Sequence, residues 1–198
     1  MSLVITFIGK NGAVMAGDMR EITFQGDKDS REGLEKELYT GMLTTDEELE
    51  NRATELEVEI KIRDDKNKIS QRDGILVGEV SSIERGLVQK RRVYASADNY
   101  AIIEIRGSEA KLTGKGKGSA FLVFGNNVTK EIANSCIKDH WKNGNLSDAV
   151  KVMILTMEIA SKVSASVSKE YVLLQTASKI GLSGTVEEDI KSLINNSQ

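Results

Sequence analysis

The order of extended and helical patterns predicts an α+β fold, a four-layer αββα sandwich with two antiparallel sheets between helical layers. Strand patterns dominate residues 3–25 and 58–124, helical patterns fill 128–163, and one strand and one helix close the chain. The first strand, Leu3-Val4-Ile5-Thr6-Phe7-Ile8, is apolar on both faces, so it belongs in the centre of a sheet covered on both sides. A second sheet on one face and helices on the other would supply that cover.

Residues 3–9 and 13–18 read as a β-hairpin with Asn11-Gly12 at the turn, and residues 21–25 continue in extended form. The character then changes. A charged helical insert occupies about 30–57, with Leu34, Leu38 and Tyr39 lining one helix and Leu49, Ala53 and Leu56 a second. Thr45 and Glu48 stand at capping-box spacing for the second helix, and Asp46, Glu47 and Glu48 suit the positive end of its dipole. Strands resume at Val58–Arg63, Lys68–Gln71 and Ile75–Val80, the last two joined at Asp73-Gly74. Residues 81–99 fit neither pattern, and strands follow near 100–106, 109–114 and 120–124. Helices are expected at about 128–142 and 147–163, the second apolar nearly all round and therefore buried, with Asn145 or Ser147 as its cap. A strand at Tyr171–Thr176 and an amphipathic helix at 185–195 complete the chain.

Composition narrows the chemistry. The 198 residues make one domain with a full core, and a net charge of -3 leaves no footprint for nucleic acid. No apolar run is long enough to span a membrane, and no signal peptide precedes the first strand, so a cytoplasmic protein is expected. With one Cys and one His, the chain can build neither an internal disulfide nor a common zinc site, and no metal or cofactor is expected. His140 falls with Ile132, Ala133, Cys136, Ile137 and Trp141 on what reads as the inward stripe of a helix, which argues against a Cys-His dyad. The run Thr113–Ser119 lacks the spacing of a phosphate-binding loop and reads as a flexible hairpin, while Lys90-Arg91-Arg92 reads as a solvated basic turn.

The informative chemistry lies at the N-terminus. Removal of Met1 would leave Ser2 with a hydroxyl and a free α-amine on one residue. Such an amine titrates near pH ~7.7–8.0, so part of it is unprotonated at neutral pH and able to act as base for its own hydroxyl.

The opening block, Ser2 to Asp18, resembles a proteasome β subunit, whose first residue attacks a peptide bond. That resemblance puts Asp18 at the family's acidic position and Lys68 at its active-site lysine, with Lys61 and Lys66 as rivals because the insert prevents simple counting. It puts Gly78 at the oxyanion-donating glycine and Ser166 at the supporting serine. Val163 and Asn126 depart from the family's Asp and Ser, which weakens the case for efficient hydrolysis. The stretches Phe7–Glu21, Glu35–Tyr39 and Gly78–Ser82 resemble connectases, the proteasome-related peptide ligases of methanogenic archaea. The resemblance implies a single N-terminal-nucleophile hydrolase-like domain, monomeric in form, that recognises a Lys-Asp-Pro-Gly-Ala motif in a methyltransferase protein. Such an enzyme cuts after the Asp and passes the acyl group to another N-terminus, without a cofactor. A proteasome-like serine peptidase and a non-catalytic binding module are the alternatives.

Overall fold

The computed structural model describes residues 3–84, 87–142 and 144–195. Strands β1 (Val4–Gly9) and β2 (Gly12–Asp18) form the expected hairpin, and every residue of both is buried. Helix α3 (Asn127–His140), helix α4 (Leu146–Val163) and strands β10 (Ala120–Phe124) and β11 (Tyr171–Thr176) complete that half of the molecule. The four-stranded sheet runs β10-β1-β2-β11, all antiparallel, so the doubly apolar strand is central.

One face of that sheet presents Leu3, Ile5, Phe7, Val14 and Ala16 to α3 and α4. The other presents Val4, Ile8, Ala13 and Met15 to a second sheet. That sheet is a five-stranded meander of β5 (Ile69–Arg72), β6 (Ile75–Glu84), β7 (Leu87–Ser96), β8 (Asn99–Arg106) and β9 (Glu109–Lys117). Helix α5 (Ser183–Asn195) covers its outer face through Val186 and Ile190, with Leu182 just before it. The predicted αββα order is therefore present. Beside it stands the insert, α1 (Lys28–Tyr39) and α2 (Asp46–Glu55), packed on a separate ribbon of β3 (Glu21–Gln25) and β4 (Glu59–Arg63). Thr45 and Glu48 make both bonds of the capping box, and Asn145 caps α4 through its side-chain oxygen.

Several local expectations give way. The described part of 81–99 is mostly the end of β6 and the whole of β7, a pair whose register runs from Leu76 opposite Ala95 to Glu84 opposite Leu87. Lys90, Arg91 and Arg92 lie within β7 rather than in a turn, and each meets an acid there: Lys90 and Arg92 meet Glu79, and Arg91 meets Glu104. Most of Thr113–Ser119 is strand β9 itself, with the reversal at Gly118 (φ 97°). His140 is exposed at the end of α3, while Ala133 and Cys136 carry the buried stripe. Helix α4 also keeps an open face, with Ile159 and Val163 each 40% exposed, so it is buried on one side only. Among the described residues no helix is long and apolar enough to cross a membrane.

The C-terminal helix is held by Asp189, which accepts from the buried Tyr94 hydroxyl at 2.7 Å and from Arg92 and Arg72 at 3.0 and 2.8 Å. Burial, with Asp189 as hydrogen-bond partner, pushes the Tyr94 phenol up to about 12. Asp189→Ala strands that hydroxyl and should cost about 2–3 kcal/mol, lowering Tm by roughly 4–12 °C in a thermal melt. An unchanged Tm would mean that apolar packing alone holds α5.

Candidate active site

The first two strands meet with Val4 opposite Gly17, which leaves residue 3 beside the end of β2. Asp18 exploits this. Its N–H donates to the Leu3 carbonyl at 3.1 Å, and its Oδ2 accepts the Leu3 N–H at 2.7 Å. The other oxygen, Oδ1, accepts the Arg20 N–H at 2.9 Å and the Lys68 ammonium at 2.5 Å. Lys68 donates again to the Arg20 carbonyl at 2.7 Å. The Asp18 side chain is fully buried and that of Lys68 is 6% exposed. A buried ion pair is tolerable only when its remaining lone pairs and protons are also satisfied, which the three backbone groups achieve. Burial holds the Lys68 ammonium below the usual lysine value, against the opposing pull of Asp18.

Lys68 reaches Asp18 because β5 begins directly over β2. A Cβ on Gly17 would lie 2.9 Å from Ile69 Cγ2, so a side chain there would crowd the first residue of β5, next to Lys68. The rivals are elsewhere. Lys61 is exposed on β4, and Lys66 pairs with Glu21 at 3.2 Å on the surface.

Ser166 lies in the buried segment that follows α4. Its hydroxyl shares a 2.7 Å hydrogen bond with Ser164 and accepts from the Asn126 amide at 3.1 Å. The Asn126 carbonyl oxygen caps α3 by accepting the Thr129 N–H at 2.8 Å. The departure at Asn126 thus brings a replacement donor to Ser166. Ser168 accepts the Met19 N–H at 2.8 Å, which fastens the same segment to the chain just beyond Asp18. Ser2 lies outside the described residues.

Gly78 does not present its N–H to the cleft. Ile69 faces Gly78, while the next opposite pair bonds through the Glu79 N–H to the Lys68 carbonyl at 2.9 Å. Bonding direction alternates along an antiparallel ladder, so Gly78 turns toward Val93 on β7. Its missing side chain serves the core instead: a Cβ would sit 2.7 Å from Met15 Sδ and 3.0 Å from a Val4 methyl. The same alternation aims the Ser81 backbone at the edge of β6 past the start of β5, where the cleft begins.

Sequence reasoning missed the residue that organises the surroundings. Arg20, 8% exposed, donates to both oxygens of Asp64 at 2.8 Å, to both oxygens of Asp46 and to the Ala165 carbonyl at 2.8 Å. The hydrogen bond to Asp64 outweighs burial and, with Asp46, raises the Arg20 pKa above the ordinary arginine value. The only sequence hint was Asp46, whose place in a helix-start cluster explains it equally well. Around this scaffold opens a cleft of about 480 Å³ between β3, α1, the Lys66–Lys68 loop and the Glu79–Ser82 edge, with Ser166 among its lining residues. Burial pushes the Tyr39 hydroxyl, which also lines the cleft, well above the usual phenol range. Among the described residues no group of three His, Cys, Asp or Glu side chains could hold a metal ion.

Two antiparallel sheets between helical layers, with a buried acid–lysine pair at the entry to the first strand, define a four-layer αββα sandwich with its candidate site at one edge. The family described as "Connectase MJ0548-like, N-terminal domain" matches residues 1–194, and the chain belongs to the connectase family. This membership makes it a protein of the peptide ligase or hydrolase kind. A solved Anbu (Gly-1) mutant from Hyphomicrobium sp. strain MC1 is similar to 99% of this chain and 93% of its own, at 10% identity and a TM-score of 0.47. No curated protein matches.

Lys68→Met leaves a buried carboxylate without its cation and should cost roughly 3–5 kcal/mol in urea denaturation. Adding Asp18→Asn removes the uncompensated charge and should restore at least ~1 kcal/mol. Equal losses in the single and double variants would show that the two side chains are not energetically coupled.

Proposed function

We propose that the protein is a cofactor-free transpeptidase in which Ser2, freed by removal of Met1, is the nucleophile. The carrying observation is the anchoring of Leu3: the residue that follows Ser2 is bonded twice to Asp18, whose other oxygen holds Lys68. A chain end held in this way keeps a nucleophile beside a fixed positive charge.

In the proposed reaction the Ser2 α-amine takes the hydroxyl proton as Oγ attacks the carbonyl after Asp in a Lys-Asp-Pro-Gly-Ala-type motif. The Lys68 ammonium favours the developing alkoxide and the neutral amine, and Asp18 keeps that ammonium in place. The Ser81 N–H, rather than that of Gly78, is the edge donor suited to the tetrahedral oxygen. Collapse of the intermediate breaks the C–N bond, and the proton returns to the departing nitrogen, which leaves an ester on Ser2. Migration of the acyl group to the α-amine through a five-membered ring stores it as an amide. Reversal of that shift presents the ester to the amine of an incoming N-terminus. Ser166, held between Ser164 and Asn126, supports the site without an adjoining carboxylate to activate water. The substrate is an extended segment such as the motif of a methyltransferase protein, and the β6 edge that borders the cleft supports that fit.

Intact mass spectrometry tests this directly. The processed protein incubated with motif peptide should gain the mass of the acyl segment, and Ser2→Ala should gain nothing while melting normally. Release of acid instead of ligated product on adding an amine would assign a peptidase, and binding without any adduct would assign a binding module. Lys68→Ala should slow adduct formation on the order of 10²-fold, measured by quenched time course. A greater loss in Lys61→Ala or Lys66→Ala would reject the role given to Lys68.

A further inference from the structure

Among the described residues that line the cleft, one guanidinium has a buried nitrogen without a hydrogen-bond partner. Arg31, in the first turns of α1, lines the cleft, and its Nε is buried with no hydrogen-bond partner. Among the described residues no carboxylate forms an ion pair with it, although it faces a cleft rich in charge. The other cations there are occupied: Arg20 by Asp46 and Asp64, Lys66 by Glu21, and Lys68 by Asp18. The acids Glu21 and Glu79 are likewise engaged, by Arg63 and Lys66 and by Arg92 and Lys90. The remaining acid, Glu35, lies one helical turn from Arg31 and outside ion-pair distance, and burial raises its pKa.

A guanidinium carries five N–H donors in a planar fork that matches a carboxylate. Leaving a buried donor of that fork unpaired is unfavourable, so a ligand that satisfies it gains both a charge-assisted hydrogen bond and relief of that cost. We propose that Arg31 reads an acidic side chain on the bound peptide, so that one helix of the insert sets specificity. This rests on the peptide reading above and deepens it. Arg31 is remote from Leu3 in sequence and has no part in the Asp18–Lys68 pair; its role is recognition.

Calorimetric binding in a Ser2→Ala background separates recognition from chemistry. The probes are the peptide Lys-Asp-Pro-Gly-Ala and the same peptide with Asn in place of Asp. The Asp peptide should bind at least ~10-fold more tightly than the Asn peptide. Arg31→Gln should weaken the Asp peptide by about 10–100-fold and leave the Asn peptide within about twofold, with Arg31→Lys intermediate because it keeps charge without the fork. An unchanged Tm would show that the variants fold. Equal weakening of both peptides, or of neither, overturns the assignment. Covalent capture of the Asp peptide by native protein and by Arg31→Gln at equal efficiency would retain the ligase reading and remove the Arg31 role. Absence of both capture and binding would remove both.

Discussion

Everything at the candidate site leans on one buried carboxylate. Asp18 has no contact with water, and its two oxygens are shared among the Leu3 N–H, the Arg20 N–H and the Lys68 ammonium. These partners come from the entry to β1, the exit of β2 and the approach to β5. A single buried side chain therefore ties together the entry to β1, the end of the first hairpin and the approach to the second sheet. Gly17 and Gly78 allow the same convergence sterically, the first admitting Ile69 and the second admitting Met15 and Val4 between the sheets.

Features written in short stretches of chain were legible from those stretches. The β1–β2 hairpin, the Thr45–Glu48 box and the Asn145 cap depend on residues at most a few positions apart, and all three are present, although the hairpin turns at Lys10-Asn11, with Gly12 already paired to Gly9, rather than at Asn11-Gly12. The doubly apolar first strand correctly called for cover on both faces. The β6–β7 hairpin escaped notice because its charged positions pair across strands: Arg92 looks solvated in isolation but meets Glu79 on β6 and Asp189 on α5. His140 misled for the opposite reason, since helical spacing places it near the buried stripe while the helix has already reached solvent. Arg20 was illegible in principle. Its partners Asp46, Asp64 and Ala165 lie 26, 44 and 145 residues away, and no local pattern encodes such a meeting.

Gly78 shows how a family correspondence and a hydrogen-bond ladder constrain different things. The motif places a glycine near the right loop, while strand alternation decides which amides reach the cleft. Register assigns that edge to Glu79 and Ser81, and the Glu79 N–H is already committed to the Lys68 carbonyl. The Ser164–Ser166–Asn126 cluster teaches a related lesson. The Asn126 side chain donates to Ser166 through its amide and caps α3 through its oxygen, so one residue fastens the buried serine segment to the start of a helix.

The clamp between Arg20 and Asp46 makes the helical insert part of the foundation. Excising it to obtain a leaner scaffold would remove Asp46, one of the two carboxylates that grip the Arg20 guanidinium, and leave Asp64 and the Ala165 carbonyl to hold the residue whose own carbonyl receives Lys68. A minimised version would need a new acceptor in place of Asp46, since Arg20 must stay to pair Asp64. The insert therefore braces the floor of the cleft from outside the sandwich, through one carboxylate on α2.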